Sequence, residues 1–224
     1  MSTGWMVSVA LAGVATGLLA AQPAKDPLQL VAEGRKMIAS GKLDEGMASI
    51  DKALATDPKL FEGLLAKGIA LDIKGDYRGG RKFLEDANSV ANDDARDPVF
   101  SAIAISYVFE GDVANAARYY QRLFDRYMAG SRIDTAAETA NALARVYLET
   151  GDIKKAEQWY TTGRENSKKL SGLPEDQVDL WTMRWHHAAS RIAARKGDHK
   201  TAAREAEEVK KLVDKNPQNA TQMP

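Results

Sequence analysis

The chain has 224 residues, with 31 basic and 31 acidic side chains; this is length enough for one domain with a real core, and the zero balance argues against a general nucleic-acid binder, which needs a basic excess against phosphates. No cysteine is present, which excludes disulfides, thiolate catalysis, cysteine-ligated zinc and iron–sulfur clusters. Three histidines supply little for other metal chemistry, so neither a metal nor a cofactor is expected.

No Asp, Glu, Lys or Arg precedes Lys25, and residues 5–21, WMVSVALAGVATGLLAA, form a single apolar run of 17. Residues 1–21 read as a secretory signal peptide, with cleavage after Ala20 or Ala21 and a linker over 22–26. The opening MSTG carries no basic residue, a departure from the usual pattern. The competing readings are a retained membrane anchor, for which the run is at the short limit for about 30 Å of hydrocarbon, and a buried helix. The expected location is exported, periplasmic or secreted, with membrane anchoring as the alternative.

From residue 27 the chain repeats. The segments GKLDEG (41–46), GDYRGG (75–80), GDVANA (111–116), GDIKKA (151–156) and GDHKTA (197–202) share a leading Gly, and those glycines are 34, 36, 40 and 46 residues apart. Seven residues before each Gly stands a small residue: Gly34, Gly68, Ala104, Ala144, Ser190. Five after stands another: Gly46, Gly80, Ala116, Ala156, Ala202. Larger residues recur four before (Met37, Leu71, Tyr107, Tyr147) and nine after (Ile50, Leu84, Tyr120, Tyr160), and in the fifth unit they shrink to Ala193 and Ala206.

Each Gly follows a run of helical period and suits the left-handed residue that ends a helix. The Asp behind it suits an N-cap, with Lys42 as the departure. The paired small residues let two antiparallel helices approach closely, at about 1 kcal/mol for each glycine relative to alanine. Each unit is therefore predicted to be a helix–turn–helix hairpin. Longer first helices are expected at 132–149 and 175–195, with Glu175 and Asp176 opening the latter. A charged last helix over 199–214 is expected to close the stack against water, and residues 216–224 read as a disordered tail. Asn219-Ala-Thr221 matches a glycosylation acceptor.

This arrangement, a small residue, a bulky one, a Gly-Asp turn, Ala and a second bulky residue in a frame of about 34 residues, resembles the tetratricopeptide repeat family over residues 27–215. The resemblance implies an all-α, right-handed superhelix (solenoid) of about five helix–turn–helix repeats. It also implies a concave groove lined by the first helix of each pair, which binds peptide segments of partner proteins.

Carried over by position, the lining is Leu28, Val31, Arg35, Ile38 and Ala39 in the first unit and Glu62, Leu65, Ile69, Asp72 and Ile73 in the second. It continues with Pro98, Ser101, Ile105, Val108 and Phe109, then Glu138, Asn141, Arg145, Leu148 and Glu149, then Arg184, His187, Arg191, Ala194 and Arg195. The groove is thus expected to be apolar in the middle, through Leu65, Ile69, Ile105, Val108 and Phe109, and basic toward its C-terminal end. Arg145, Arg184, Arg191 and Arg195 are expected to meet acidic groups, while Glu62 and Asp72 set orientation. The rival explanation is that these apolar residues pack against an adjacent part of the stack. Residues 1–110 carry 12 basic and 15 acidic side chains and residues 111–224 carry 19 and 16, a weak polarity that permits self-association.

No phosphate loop, dinucleotide fingerprint or nucleophile elbow occurs. His186 and His187 are adjacent on a helix, about 100° apart, and cannot grip one metal together. Tyr120 and Tyr160 are expected in the core. The function expected is a non-enzymatic protein-interaction module. The alternatives are a membrane-tethered assembly component of an envelope complex and a small-ligand or enzymatic site near Trp181, Trp185, His186 and His187.

Overall fold

Every predicted turn glycine ends up where a helix has to stop. In the computed structural model, which describes residues 25–222, Gly41, Gly75, Gly111, Gly151 and Gly197 all have φ between 78° and 89°, the left-handed region that lets the last turn close without a Cβ clash. Asp76, Asp112, Asp152 and Asp198 cap the helices that follow by accepting from the backbone N–H of Gly79, Asn115, Lys155 and Thr201. Lys42, the departure from the motif, makes no side-chain cap. The apolar run 5–21 lies outside the described residues.

Ten α-helices result, and no strand occurs among the described residues. They are α1 Pro27–Ala39, α2 Leu43–Thr56, α3 Phe61–Lys74, α4 Tyr77–Val90, α5 Arg96–Glu110, α6 Val113–Ala129, α7 Ile133–Glu149, α8 Ile153–Ser167, α9 Glu175–Arg195 and α10 His199–Lys215. They pack as successive antiparallel pairs, each pair also touching the next, so the chain is a solenoid of five hairpins. The two long first helices fall on α7 and α9, within one residue of the expected bounds. In α10 no residue is fully buried, as suits the end of a stack.

The paired small residues are the points where the two helices of a hairpin cross. A Cβ on Gly34 would lie 2.7 Å from the carbonyl oxygen of Gly46, and one on Gly68 would lie 2.6 Å from the side chain of Leu84 and 2.9 Å from the carbonyl oxygen of Gly80. In units three and four the same crossings use Ala104 with Ala116 and Ala144 with Ala156, all fully buried. In unit five Ser190 replaces the contact with a bond, its hydroxyl donating to the Ala202 carbonyl at 2.9 Å. Around these crossings the core runs along the stack: Val31, Ile50 and Ala53 in unit one, Leu64, Leu84, Val99 and Ile103 in units two and three, Ala144, Leu148, Tyr160 and Ile192 in units four and five.

Polar groups buried between units tie the hairpins together. Asp97 at the start of α5 receives Arg126 Nε at 2.8 Å from the end of α6 and Arg132 at 2.5 Å from the turn into α7. Asp72 on α3 is 8% exposed and accepts from the Ser106 hydroxyl of α5 at 2.9 Å. Burial, opposed by that hydroxyl and by the nearby Arg81, pushes the Asp72 carboxyl up from 3.8 to about 6. Its folded form therefore holds a proton more tightly than the unfolded chain does. The stability this supplies is complete below about pH 3.8, is lost as pH rises to about 6, and is absent above. Asp72→Asn is expected to raise the urea midpoint at pH 7.5, with the gain shrinking toward pH 4; a gain of equal size at both pH values contradicts the assignment.

The tail departs from expectation. Residues Pro217–Gln222 form a short 3-10 helix rather than a disordered end. Asn219 holds it down, since its side-chain amide donates to the Asp176 carbonyl at 2.8 Å and the residue is 2% exposed. The glycosylation acceptor is thus a buried, hydrogen-bonded amide. Asn216 and Pro217 end α10, and the chain folds back over the start of α9, where Lys215 also meets Glu175 and Asp179.

Candidate interaction groove

The first helices α1, α3 and α5 pack in sequence, α1 on α3 and α3 on α5, but neither α5 and α7 nor α7 and α9 pack closely. Between α5 and α7 runs α6, which has 17 residues against the 14 of α2 and α4 and continues into α7 through a turn of three residues. A cleft of about 540 Å³ opens between the C-terminal ends of α5 and α7. Val108 and Phe109 form one wall, Ala142, Arg145, Val146 and Glu149 the other, and Val113 and Tyr120 of α6 the floor. Next to the cleft, Ile69, Ile73 and Ile105 stand exposed, with Ile73 at 59% and Phe109 at 61%. Phe109 is steadied by stacking on Tyr77, with ring centroids 6.1 Å apart.

The arginines are mostly spent on the chain's own carboxylates. Arg184 donates to Glu138 at 3.1 Å, and Arg191 and Arg195 both meet Glu149, with Arg195 also on the Leu148 carbonyl at 2.9 Å. Arg35 donates to the Glu62 carbonyl at 3.2 Å. Arg145 forms no ion pair and no hydrogen bond among the described residues. It lines the apolar cleft on one side and, on the other, a smaller polar cleft of about 160 Å³ with Glu138, Asn141, Ala142, Arg184 and Gln222. His187 sits nearby, its pKa held below the usual histidine range by burial first and then by Arg191 and Arg145.

The sequence profile of the tetratricopeptide repeat matches residues 137–163, the turn of unit four with its flanking helices. No curated protein matches the chain in sequence. Solved structures match in fold. A kinesin light chain-like protein of Podosopora anserina with nearly identical TPR-like repeats superposes with a TM-score of 0.72 at 15% identity, covering 86% of this chain and 99% of its own. MamA from Desulfovibrio magneticus RS-1 gives 0.62 at 15% identity, over 85% and 96%. YrrB, a TPR protein with an unusual peptide-binding site, gives 0.55 at 14% identity, over 88% and 91%.

The chain has the tetratricopeptide-repeat fold. Within that solenoid the lining positions divide. Ile69, Ile73, Ile105, Val108 and Phe109 are exposed as expected. Leu65 is not available: at 8% exposed it belongs to the core with Leu84, Val99 and Ile103, because α5 packs over it. Val31 and Leu148 are buried likewise, at 2% and 0%. Asp72 cannot set ligand orientation, being held beneath the surface by Ser106. The open basic end is replaced by the pairs on Glu138 and Glu149, which leave Arg145 with Asn141 and His187 beside it. Tyr160 is in the core at 5% exposed, whereas Tyr120 is the floor of the cleft.

The alternative site has a crevice of its own. A space of about 280 Å³ lies between α8 and α9, bounded by Leu170 and Leu173 of the connecting loop, Trp181, Trp185 and His186. Three of its polar side chains are engaged within the chain. Arg164 lies over the Trp185 ring at 4.1 Å, Lys168 pairs with Glu165, and His186 Nδ1 is 2.7 Å from Glu205.

Proposed function

We propose that the chain is a non-catalytic interaction module that holds a segment of a partner protein on the apolar strip of α3 and α5 and in the cleft between α5 and α7. The carrying observation is the exposed row Ile69, Ile73, Ile105, Val108 and Phe109 running into a cleft of about 540 Å³. Such contiguous apolar surface is the mark of a binding site on a soluble domain. The peptide-binding site of YrrB, a protein of the same fold, supports the reading. A library of random decapeptides screened against the protein and against an Ile105→Asp/Phe109→Asp variant tests it: selection by the parent that vanishes in the variant is expected.

The partner is met outside the compartment of synthesis. In this reading residues 1–21 export the chain and are removed, so the N-terminus of the protein isolated from its native cells is expected at Ala21 or Gln22 by mass spectrometry. An intact Met1 on membrane-bound protein would replace this with a tethered assembly component of an envelope complex. None of the described helices is long and apolar enough to cross a membrane.

A further inference from the structure

We propose that Arg145 reads an internal Asp or Glu side chain of the bound segment, so that the groove selects a stretch of protein with a large apolar residue and an acidic residue beside it. The inference rests on the groove reading above and states what that groove discriminates. The groove's other four arginines are already engaged: Arg35 donates to the Glu62 backbone carbonyl, Arg184 pairs with Glu138, and Arg191 and Arg195 share Glu149. Arg145 is half-buried and donates to nothing among the described residues. The carboxylates that line the same two clefts, Glu138 and Glu149, are the ones bound to those other arginines. The groups facing Arg145 from α6, α8 and α9 are Tyr120, Tyr160 and His187, and burial favours the neutral form of all three. Arg191 adds a second positive charge, itself bound to Glu149. A guanidinium partly withdrawn from water with no anion against it is the condition in which a ligand carboxylate gains most, through two parallel N–H···O bonds.

Position fixes the source of the carboxylate. The apolar cleft lies on one side of Arg145 and the polar cleft on the other, so a segment whose large side chain fills the first crosses the guanidinium and continues into the second. The path goes on past Arg145, which suits a side chain within the segment rather than its C-terminal end. Charge complementarity at this one point then sets specificity, while Ile105, Val108 and Phe109 supply the contact area.

The test uses two random decapeptide libraries, one acetylated and amidated, the other with free ends. From the capped library the parent is expected to enrich Leu, Ile, Phe or Trp together with Asp or Glu. Arg145→Met, matched in length, is expected to keep the apolar preference and to bind the best acidic peptide about tenfold more weakly. Arg145→Glu is expected to turn the charged preference to Lys and Arg. Circular dichroism melts establish that each variant is folded. Unchanged acidic preference in Arg145→Met overturns the inference and leaves the groove standing. Enrichment only from the free-ended library overturns the internal side chain in favour of a terminal carboxylate. If the parent enriches nothing from either library, or Ile105→Asp/Phe109→Asp enriches the same peptides as the parent, the groove reading itself falls and takes this inference with it.

Discussion

Gly68→Val is expected to lower the unfolding free energy by about 3 kcal/mol or more, enough to leave a chain of ordinary stability mostly unfolded at moderate urea. The Cβ alone would stand 2.6 Å from two carbons of Leu84, which is fully buried, and 2.9 Å from the Gly80 carbonyl oxygen. A flexible side chain can move aside, but a helix backbone can yield only by separating α3 from α4, and that opens the Leu64, Leu84, Val99 and Ile103 core. Gly75→Ala is the informative contrast. A Cβ there meets nothing within 4 Å, and the cost comes only from a φ of 89°, about 1–2 kcal/mol. Urea titrations followed by circular dichroism at 222 nm check both. Equal midpoint shifts for the two variants would contradict close packing as the reason for Gly68.

The second large effect is on binding. Ile105→Asp/Phe109→Asp is expected to weaken the best selected peptide about 100-fold or more, while the urea midpoint stays close to the parent's. The two side chains are 39% and 61% exposed, so the free protein has little to lose when they change. In the complex the same positions become desolvated, and two carboxylates then face Val108 and the ligand's apolar anchor without a partner. Titration calorimetry on the parent and the variant measures this, and an affinity within about threefold of the parent's speaks against the apolar strip as the anchor.

Much of the solenoid was legible because its signals are local. A left-handed glycine, the aspartate behind it and a small residue seven before are properties of one hairpin, and the hairpin is built whatever its neighbours do. The spacing of 46 residues before Gly197 pointed to the long α9, and Pro174 with Glu175 and Asp176 gave its start. The errors all fall between units. Leu65 and Ile69 occupy equally regular lining positions, yet whether each is covered depends on how far α5 slides over α3. Arg191 and Glu149 are 42 residues apart, and nothing in either hairpin alone says that they meet. The tail composition favoured disorder, but a single amide, Asn219 on the Asp176 carbonyl, anchors it. Tyr120 holds the position that Tyr160 fills as core, and becomes a cleft floor where α5 and α7 stand apart. Arg145 is among the predicted lining residues; that it is left with neither a counter-charge nor a hydrogen bond among the described residues follows only from the pairing of the others.

The gap between α5 and α7 gives α6 an office that α2 and α4 do not have. In the N-terminal half α1 packs on α3 and α3 on α5, so lengthening α2 or α4 would be resisted across the stack. Here each wall of the cleft packs on the common floor, α6, and the opening behaves like a vice with one screw. Each helical turn added to or removed from α6 changes its length by about 5.4 Å. The size of side chain the cleft accepts can therefore be reset by an insertion or deletion near 125–132, while Arg145 and the apolar strip stay in place on their own helices.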